Sequence, residues 1–201
     1  MRYFPISIDS KDKICLFLGG GKIAKRKIQS LLKGDFSFLI YAKEIDKEVM
    51  ELCKENPQRI KIVEKDIDEN FVFPPCDFLF LATGNRNLNK ILRKKAKNLG
   101  LRTLDLSDSL GSDFYLRKNI SNEFVDISIS SNGQVPIFSS LIGDDLEKYL
   151  ESLDMDKIKL MVEIRDKLRK NGIYNKALLL DLYKEDKQFL KKYLEKIWWL
   201  K

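Results

Sequence analysis

The sequence predicts an α/β fold: a parallel sheet with helical crossovers, then an antiparallel β-ribbon, then a helical C-terminal part. Three patterns carry this. Over residues 1–112, short continuous apolar runs alternate with segments of helical spacing, as in a sheet whose strands are covered on both faces. Two short alternating runs joined by a polar turn follow within 114–130. From Pro136 onward the pattern is helical to the end.

Taken in order, Lys13 to Leu18 is apolar after its first residue and ends at Gly19-Gly20-Gly21, which reads as a strand buried on both faces. Residues 22–33 place Ile23, Ala24, Ile28, Leu31 and Leu32 at helical spacing, with Gly34 as the expected C-cap. Phe36 to Tyr41 is a second strand, Glu44 to Lys54 a second helix, and Arg59 to Val63 a shorter, half-polar strand. Pro74-Pro75 marks a loop. Asp77 to Ala82 is a fourth strand, Asn85 to Leu99 a helix, and Leu101 to Leu106 a fifth strand. The ribbon is expected from Phe114–Ile120 and Glu123–Ser130. Helices are expected over 136–152, 154–171, 173–183 and 185–200, with Gly172 between two of them. No internal repeat is visible.

Composition then removes chemistry. The chain has 201 residues and no histidine, so a Ser-His-Asp triad, a His-dependent zinc site and a His general base are all excluded. Cys15, Cys53 and Cys76 lack metal spacing, and no metal site is expected. An odd cysteine count without a readable secretory signal points to a reducing, cytoplasmic compartment. No apolar run is long enough to span a membrane. The formal charge of +7 suits nucleic acid, a membrane surface or an acidic small molecule. Runs such as Arg93-Lys94-Lys95-Ala96-Lys97 read as solvated helix faces. No zinc-finger spacing, Arg/aromatic alternation or heptad array supports nucleic acid.

Gly19-Gly20-Gly21-Lys22-Ile23-Ala24 contains the Gly-x-Gly-x-x-Ala form of the dinucleotide-binding (Rossmann) fingerprint, in its required place between a buried strand and a helix. The first glycine permits the tight turn, the second lets backbone approach a pyrophosphate, and Ala24 lets helix and sheet pack closely. The helix start adds free N–H groups and a positive dipole end. NAD is the expected cofactor. At the end of the second strand, Glu44 either accepts from a ribose hydroxyl or opens the next helix, while Lys43 would favour a 2′-phosphate. Thr83-Gly84-Asn85 follows the fourth strand, where a doubly wound sheet binds ligands. These residues either contact the nicotinamide half, or turn the chain and cap the next helix, or do both.

Together these landmarks resemble the precorrin-2 dehydrogenase / siroheme synthase N-terminal family, in its short, dehydrogenase-only form. Tyr3-Phe4-Pro5-Ile6 looks like its start, and Gly19 to Lys27 is similar to its Gly-Gly-Gly-x-Val-Ala-x-Arg-Lys run. Ala82-Thr83-Gly84-Asn85 with Leu88-Asn89, and Ile129-Ser130-Ser131-Asn132-Gly133-Gln134-Val135-Pro136, resemble two further family blocks, with almost ungapped spacing over residues 1–150. The resemblance implies an NAD-binding Rossmann domain (1–112), a dimerisation ribbon with a substrate loop (113–146), and a C-terminal helical domain (147–201). It implies NAD-dependent oxidation of precorrin-2, a tetrapyrrole octacarboxylate, to sirohydrochlorin by a homodimer. The alternatives are a bifunctional dehydrogenase/ferrochelatase and a non-catalytic dinucleotide-sensing module.

The family often ends its fifth strand in an Asp linked to both activities. That place falls on Ser107, flanked by Asp105 and Asp108, which weakens the chelatase expectation more than the dehydrogenase one. Val135 replaces the usual Ser before Pro136, and Lys43 a usual Pro. With no histidine, Asp108 and Asp105 are the expected bases, then Asp113, each alternatively a turn or capping residue. Ser130 joins the catalytic candidates and, like Ser131, is alternatively a strand-end cap. Ser107, Arg117, Ser131, Asn132 and Gly133 are the substrate-binding candidates. The Asn132-Gly133 segment, just ahead of a helix start at Pro136, offers backbone N–H groups to a carboxylate. Arg117 and Lys118 either pair carboxylates or are plain surface charge.

Overall fold

A computed structural model describes residues 3–108, 111–131 and 135–197. The chain divides into two compact units, Met1–Leu116 and Arg117–Lys201.

The first unit is the expected α/β sandwich. Its strands are β1 (Ile14–Gly20), β2 (Ser37–Ile45), β3 (Ile60–Glu64), β4 (Phe78–Leu81) and β5 (Arg102–Asp105). They form one parallel sheet in the order β3-β2-β1-β4-β5. The chain thus builds outward from β1 on one side, then crosses back to lay β4 on the other. This reversal beside β1 opens a crevice at the carboxyl ends of β1 and β4. Helices α1 (Lys22–Leu31), α2 (Lys47–Glu55) and α3 (Arg86–Asn98) make the crossovers.

Alternation along the strands sorts side chains onto two faces. Cys15, Phe17, Phe38, Ile40, Phe78 and Phe80 pack with Ala24, Ile28 and Val49, and Phe17 stacks on Phe80 with ring centroids 4.3 Å apart. Leu16, Leu18, Leu79 and Leu81 pack with Leu92 and Ala96 of α3. Burial on both faces is why β1 and β4 read as unbroken apolar runs. The guanidinium of Arg59 gathers the loop before β2, donating to the carbonyls of Phe36, Leu32 and Gly34.

Several boundaries differ from expectation. Helix α1 is capped by Leu32 rather than Gly34, whose N–H instead donates to the Leu31 carbonyl at 3.0 Å. Strand β2 runs on to Ile45, because the ladder shifts between Leu18 and Gly20 and the Asp46 N–H donates to the Gly20 carbonyl. Helix α2 therefore starts after Asp46, whose carboxylate accepts from the Glu48 N–H, and Glu44 is a strand residue. Phe114 does not begin the ribbon: its ring packs 5.4 Å from both Phe78 and Phe80, so Phe114, Tyr115 and Leu116 belong to the first core.

In the second unit β6 (Lys118–Ser121) and β7 (Asp126–Ile129) form an antiparallel ribbon closed by Asn122, whose side chain accepts from the Phe124 and Val125 N–H groups. Helices α4 (Pro136–Glu151), α5 (Met155–Lys170), α6 (Lys176–Lys184) and α7 (Lys187–Ile197) follow. Helix α4 packs on β6, and Lys118 reaches it, donating to the Ser140 carbonyl and to Asp144 at 2.6 Å. The bundle of α5, α6 and α7 encloses Ile164, Leu168, Leu182, Leu190 and Ile197. Gly172 (φ 69°) ends α5 in a Schellman turn, with Ile173 N–H donating to Leu168 and Gly172 N–H to Arg169. No helix among the described residues is long and apolar enough to cross a membrane.

Candidate functional site

The glycine turn stands at the carboxyl end of the central strand. Each glycine is there for its own reason. Gly19 (φ 118°) lies where a side chain would overlap the Ala82 carbonyl and stand 2.9 Å from the Thr83 nitrogen. A Cβ on Gly20 would come within 2.8 Å of Ile45. At Gly21 a Cβ would meet nothing within 4 Å. Backbone packing therefore fixes Gly19, Gly20 meets only the movable end of the Ile45 side chain, and Gly21 leaves open space in front of a helix start. Gly21 is also the N-cap of α1 and offers no side-chain acceptor, and the first turn has no acidic residue. The helix start thus presents N–H donors and a positive dipole end without an internal counter-charge. Lys22 and Ile23 are exposed; Ala24 is fully buried against the sheet, as its place in the fingerprint requires.

Beside this turn, the end of β2 carries Lys43 and Glu44, both exposed. Lys43 pairs with Asp66 at 3.3 Å. Across the crevice, Asn85 caps α3, accepting from the Asn87 and Leu88 N–H groups, and Thr83 Oγ1 accepts from the Asn85 N–H. Thr83, Gly84 and Asn85 thus form the capping turn that one of the sequence readings described.

The residues after β5 form one hydrogen-bonded group. Asp105 is fully buried. Its Oδ1 accepts from the Ser107 hydroxyl (2.7 Å), the Ser107 N–H (2.9 Å), the Asp108 N–H (3.2 Å) and Asn89 Nδ2 (3.3 Å). Among the described residues its Oδ2 has no hydrogen-bond partner; it lies 3.7 Å from Arg93 Nη1, which also donates to the Asp108 carbonyl. Asn89, fully buried on α3, further donates to Ser107 Oγ (3.0 Å) and accepts from the Thr83 hydroxyl (2.7 Å). Ser107 and Asp108 are half-buried. Asp113 is exposed, with its carboxylate held by the Thr103 N–H.

The first unit therefore brings together the glycine turn, Thr83–Asn85 and the Asp105–Asp108 segment. Asn89 was not singled out as a site residue from the sequence. The available signal was an amide on the buried stripe of a helix, in register with Leu92 and Ala96. Arg117 (half-buried), Ser130 (exposed) and Ser131 (half-buried) belong to the second unit, around its ribbon. Asn132 and Gly133 lie outside the described residues, as do Trp198, Trp199 and Leu200.

No cluster of three or more potential metal ligands occurs among the described residues. Burial, helped in both cases by Asp77, pushes the Cys15 thiol up to about 12 and that of Cys76 up to about 11, so both thiols are protonated and unreactive at neutral pH.

A strand-order reversal beside a glycine turn, with an uncapped helix start facing open space, defines a dinucleotide-binding α/β unit. Residues 6–117 match the family model described as "Putative NAD(P)-binding", and the chain belongs to that NAD(P)-binding family. The resemblance read from its motifs is borne out among its relatives. A siroheme synthase of Ruthia magnifica is 32% identical over 171 residues, covering 84% of this chain and 35% of that protein. A "Putative precorrin-2 dehydrogenase" of Methanocaldococcus jannaschii is 28% identical over 200 residues, covering 96% of each. The chain thus spans about a third of the siroheme synthases it matches. The solved structure of SirC, precorrin-2 dehydrogenase, shares the fold, with a TM-score of 0.70 at 22% identity over 96% of this chain and 98% of that one.

Proposed function

We propose that this chain is an NAD-dependent dehydrogenase that oxidises precorrin-2 to sirohydrochlorin in cytoplasmic tetrapyrrole biosynthesis. The observation that carries the reading is the open space at Gly21 in front of the uncapped start of α1. In this reading Gly19, Gly20 and Gly21, with the backbone of Lys22, Ile23 and Ala24, hold the pyrophosphate. Glu44 takes the ribose hydroxyls, with Lys43 drawn toward Asp66. Thr83, Gly84 and Asn85 border the nicotinamide half. When bound, the dinucleotide supplies the hydride acceptor.

The chain's own residues bind, orient and take up the proton. Arg117, Ser131 and the Asn132-Gly133 segment bind substrate carboxylates, which a net charge of +7 attracts. Ser130 assists at the end of the ribbon. Asp108 is the proton acceptor, and Asp105 holds the Asp108 segment through the Ser107 and Asp108 N–H groups. The ribbon, too small to be stable alone, pairs with its copy in a homodimer. Ser107 supplies no carboxylate where the family resemblance implies one, so metal insertion is slow. Anaerobic turnover of precorrin-2 with NAD or NADP, with and without Fe²⁺ or Co²⁺, tests the reading. NAD-dependent appearance of sirohydrochlorin is expected, and no turnover with either dinucleotide refutes it.

A further inference from the structure

The directions of the hydrogen bonds around Asn89 are forced, and they fix what Thr83 and Ser107 offer to a ligand. Asp105 Oδ1 receives two backbone N–H groups, which can only donate, so it is an acceptor. The Ser107 hydroxyl, 2.7 Å from the same oxygen, must therefore donate to it. Asn89, within 3.3 Å of that oxygen, must turn its amine toward it and toward Ser107 Oγ. The amide oxygen of Asn89 then faces Thr83, and the Thr83 hydroxyl must donate inward at 2.7 Å. One buried carboxylate thus orders a chain of three side chains across α3 and the ends of β4 and β5. Both hydroxyls have spent their protons. Each is half-buried and already accepts once, Thr83 from the Asn85 N–H and Ser107 from Asn89 Nδ2, so the remaining capacity of each is one further accepted hydrogen bond.

We infer that Ser107 and Thr83 form an acceptor-only edge of the site, which takes an N–H donor of the bound ligand and turns away its carboxylates. The inference rests on the proposed function, which offers this chemistry from two sources: the carboxamide of the nicotinamide ring and the pyrrole N–H groups of the tetrapyrrole. In either case Asn89 is a positioning residue. It touches no ligand and holds both hydroxyls in the accepting orientation.

Calorimetry on the full chain separates the sources without reading turnover. NAD is compared with its 3-acetylpyridine analogue, which replaces the carboxamide by a methyl ketone and loses the donor. Sirohydrochlorin is compared with its zinc complex, which has lost the inner N–H groups. In at least one pair the wild-type chain is expected to prefer the N–H ligand by about tenfold, the usual effect of leaving one desolvated acceptor unpaired. Ser107→Ala and Asn89→Leu should bring that ratio close to one, and Thr83→Ser should preserve it. If Asn89→Leu does not fold, Ser107→Ala decides, since its side chain is only half-buried. The pair that loses its preference identifies the source. Wild-type ratios near one in both pairs, or ratios unchanged in Ser107→Ala, overturn the inference. Absence of NAD binding to the wild type would instead refute the dinucleotide reading and leave the tetrapyrrole pair to decide the edge.

Discussion

Gly19 is pressed against Ala82: the last turn of β1 runs so close to the end of β4 that a side chain on Gly19 would occupy the space of the Ala82 carbonyl. The obstacle is backbone in the middle of the sheet, so it has little freedom to move. The φ of 118° adds strain for any side chain. Gly19→Ala is expected to cost about 3 kcal/mol or more, at the severe end for a single substitution. Urea denaturation would check this; a midpoint within experimental error of the wild type would contradict the packing described.

Gly21 predicts the reverse. Nothing lies within 4 Å of its added Cβ, and its φ of −89° suits any residue. Gly21→Asp also places a good N-cap at the start of α1. Stability should hold or rise by a few tenths of a kcal/mol. The same carboxylate would meet a pyrophosphate at close range, so dinucleotide affinity should fall by a factor of about 100, with like charges opposed in a confined site. Calorimetric titration with NAD and a thermal melt, run on one sample, separate the two effects. A stable variant with wild-type affinity would remove the glycine turn from the site.

The contrast between these glycines shows what the sequence carried and what it did not. The Gly-x-Gly-x-x-Ala spacing located the turn, because Gly19 and Ala24 sit where a larger side chain would meet the sheet, while Gly21 opens the helix start. Strands β1 and β4 were legible because burial on both faces leaves no polar phase to confuse. The end of β2 was not, because it depends on the ladder shift at Leu18/Gly20 and on the Asp46 N–H meeting the Gly20 carbonyl, a contact between segments far apart in the chain. Phe114 read as the first residue of a strand because its alternation continues into the ribbon, and only the positions of Phe78 and Phe80 show that it is core. Asn89 is the clearest case. Its partners Asp105 and Ser107 lie 16 and 18 residues away on another element, and no local spacing encodes the direction of a hydrogen bond.

Asp77 sets a pH dependence at the opposite end of the sheet. The Ile14 N–H, donating at 2.9 Å, holds its carboxyl below the usual carboxylate range, and Lys13 adds to this at 3.0 Å. A depressed folded value means the stabilisation is complete above the unfolded carboxyl pKa and is lost as pH falls through the folded one. Asp77→Asn, whose amide oxygen still accepts from the Ile14 N–H, should therefore lose about 1 kcal/mol near pH 7, the difference between a charged and a neutral acceptor. The gap to the wild type should close in acid, once the wild-type carboxyl is protonated. Urea midpoints measured from pH 7 down to the acid limit of folding would show this; a gap constant over that range would refute the assignment.

The position of Ser107 gives the last prediction. Ser107→Asp would install the carboxylate that many relatives are expected to carry there, and in isolation it looks conservative. In this chain it is not, because Ser107 Oγ already sits 2.7 Å from Asp105 Oδ1, and Asp105 is fully buried. Two carboxylates that close cannot both be ionised without a large penalty, so the pair gives up its last proton at a higher pH than a free carboxyl and is strained once both are charged. Arg93, 3.7 Å from the other oxygen of Asp105, offsets the penalty only in part. The variant should be destabilised on the order of 2–3 kcal/mol at pH 8, equivalent to a shift of about two pKa units. The sign of its pH dependence follows: the folded carboxyl pKa is raised above the unfolded one, so the variant loses stability as pH rises and recovers it as pH falls toward 5. Ser107→Asn, of nearly the same shape and uncharged, should show no such recovery. Urea midpoints of the two variants at pH 5 and pH 8 decide between repulsion and simple steric misfit; equal pH dependence in both would show that Asp105 does not face position 107 as described.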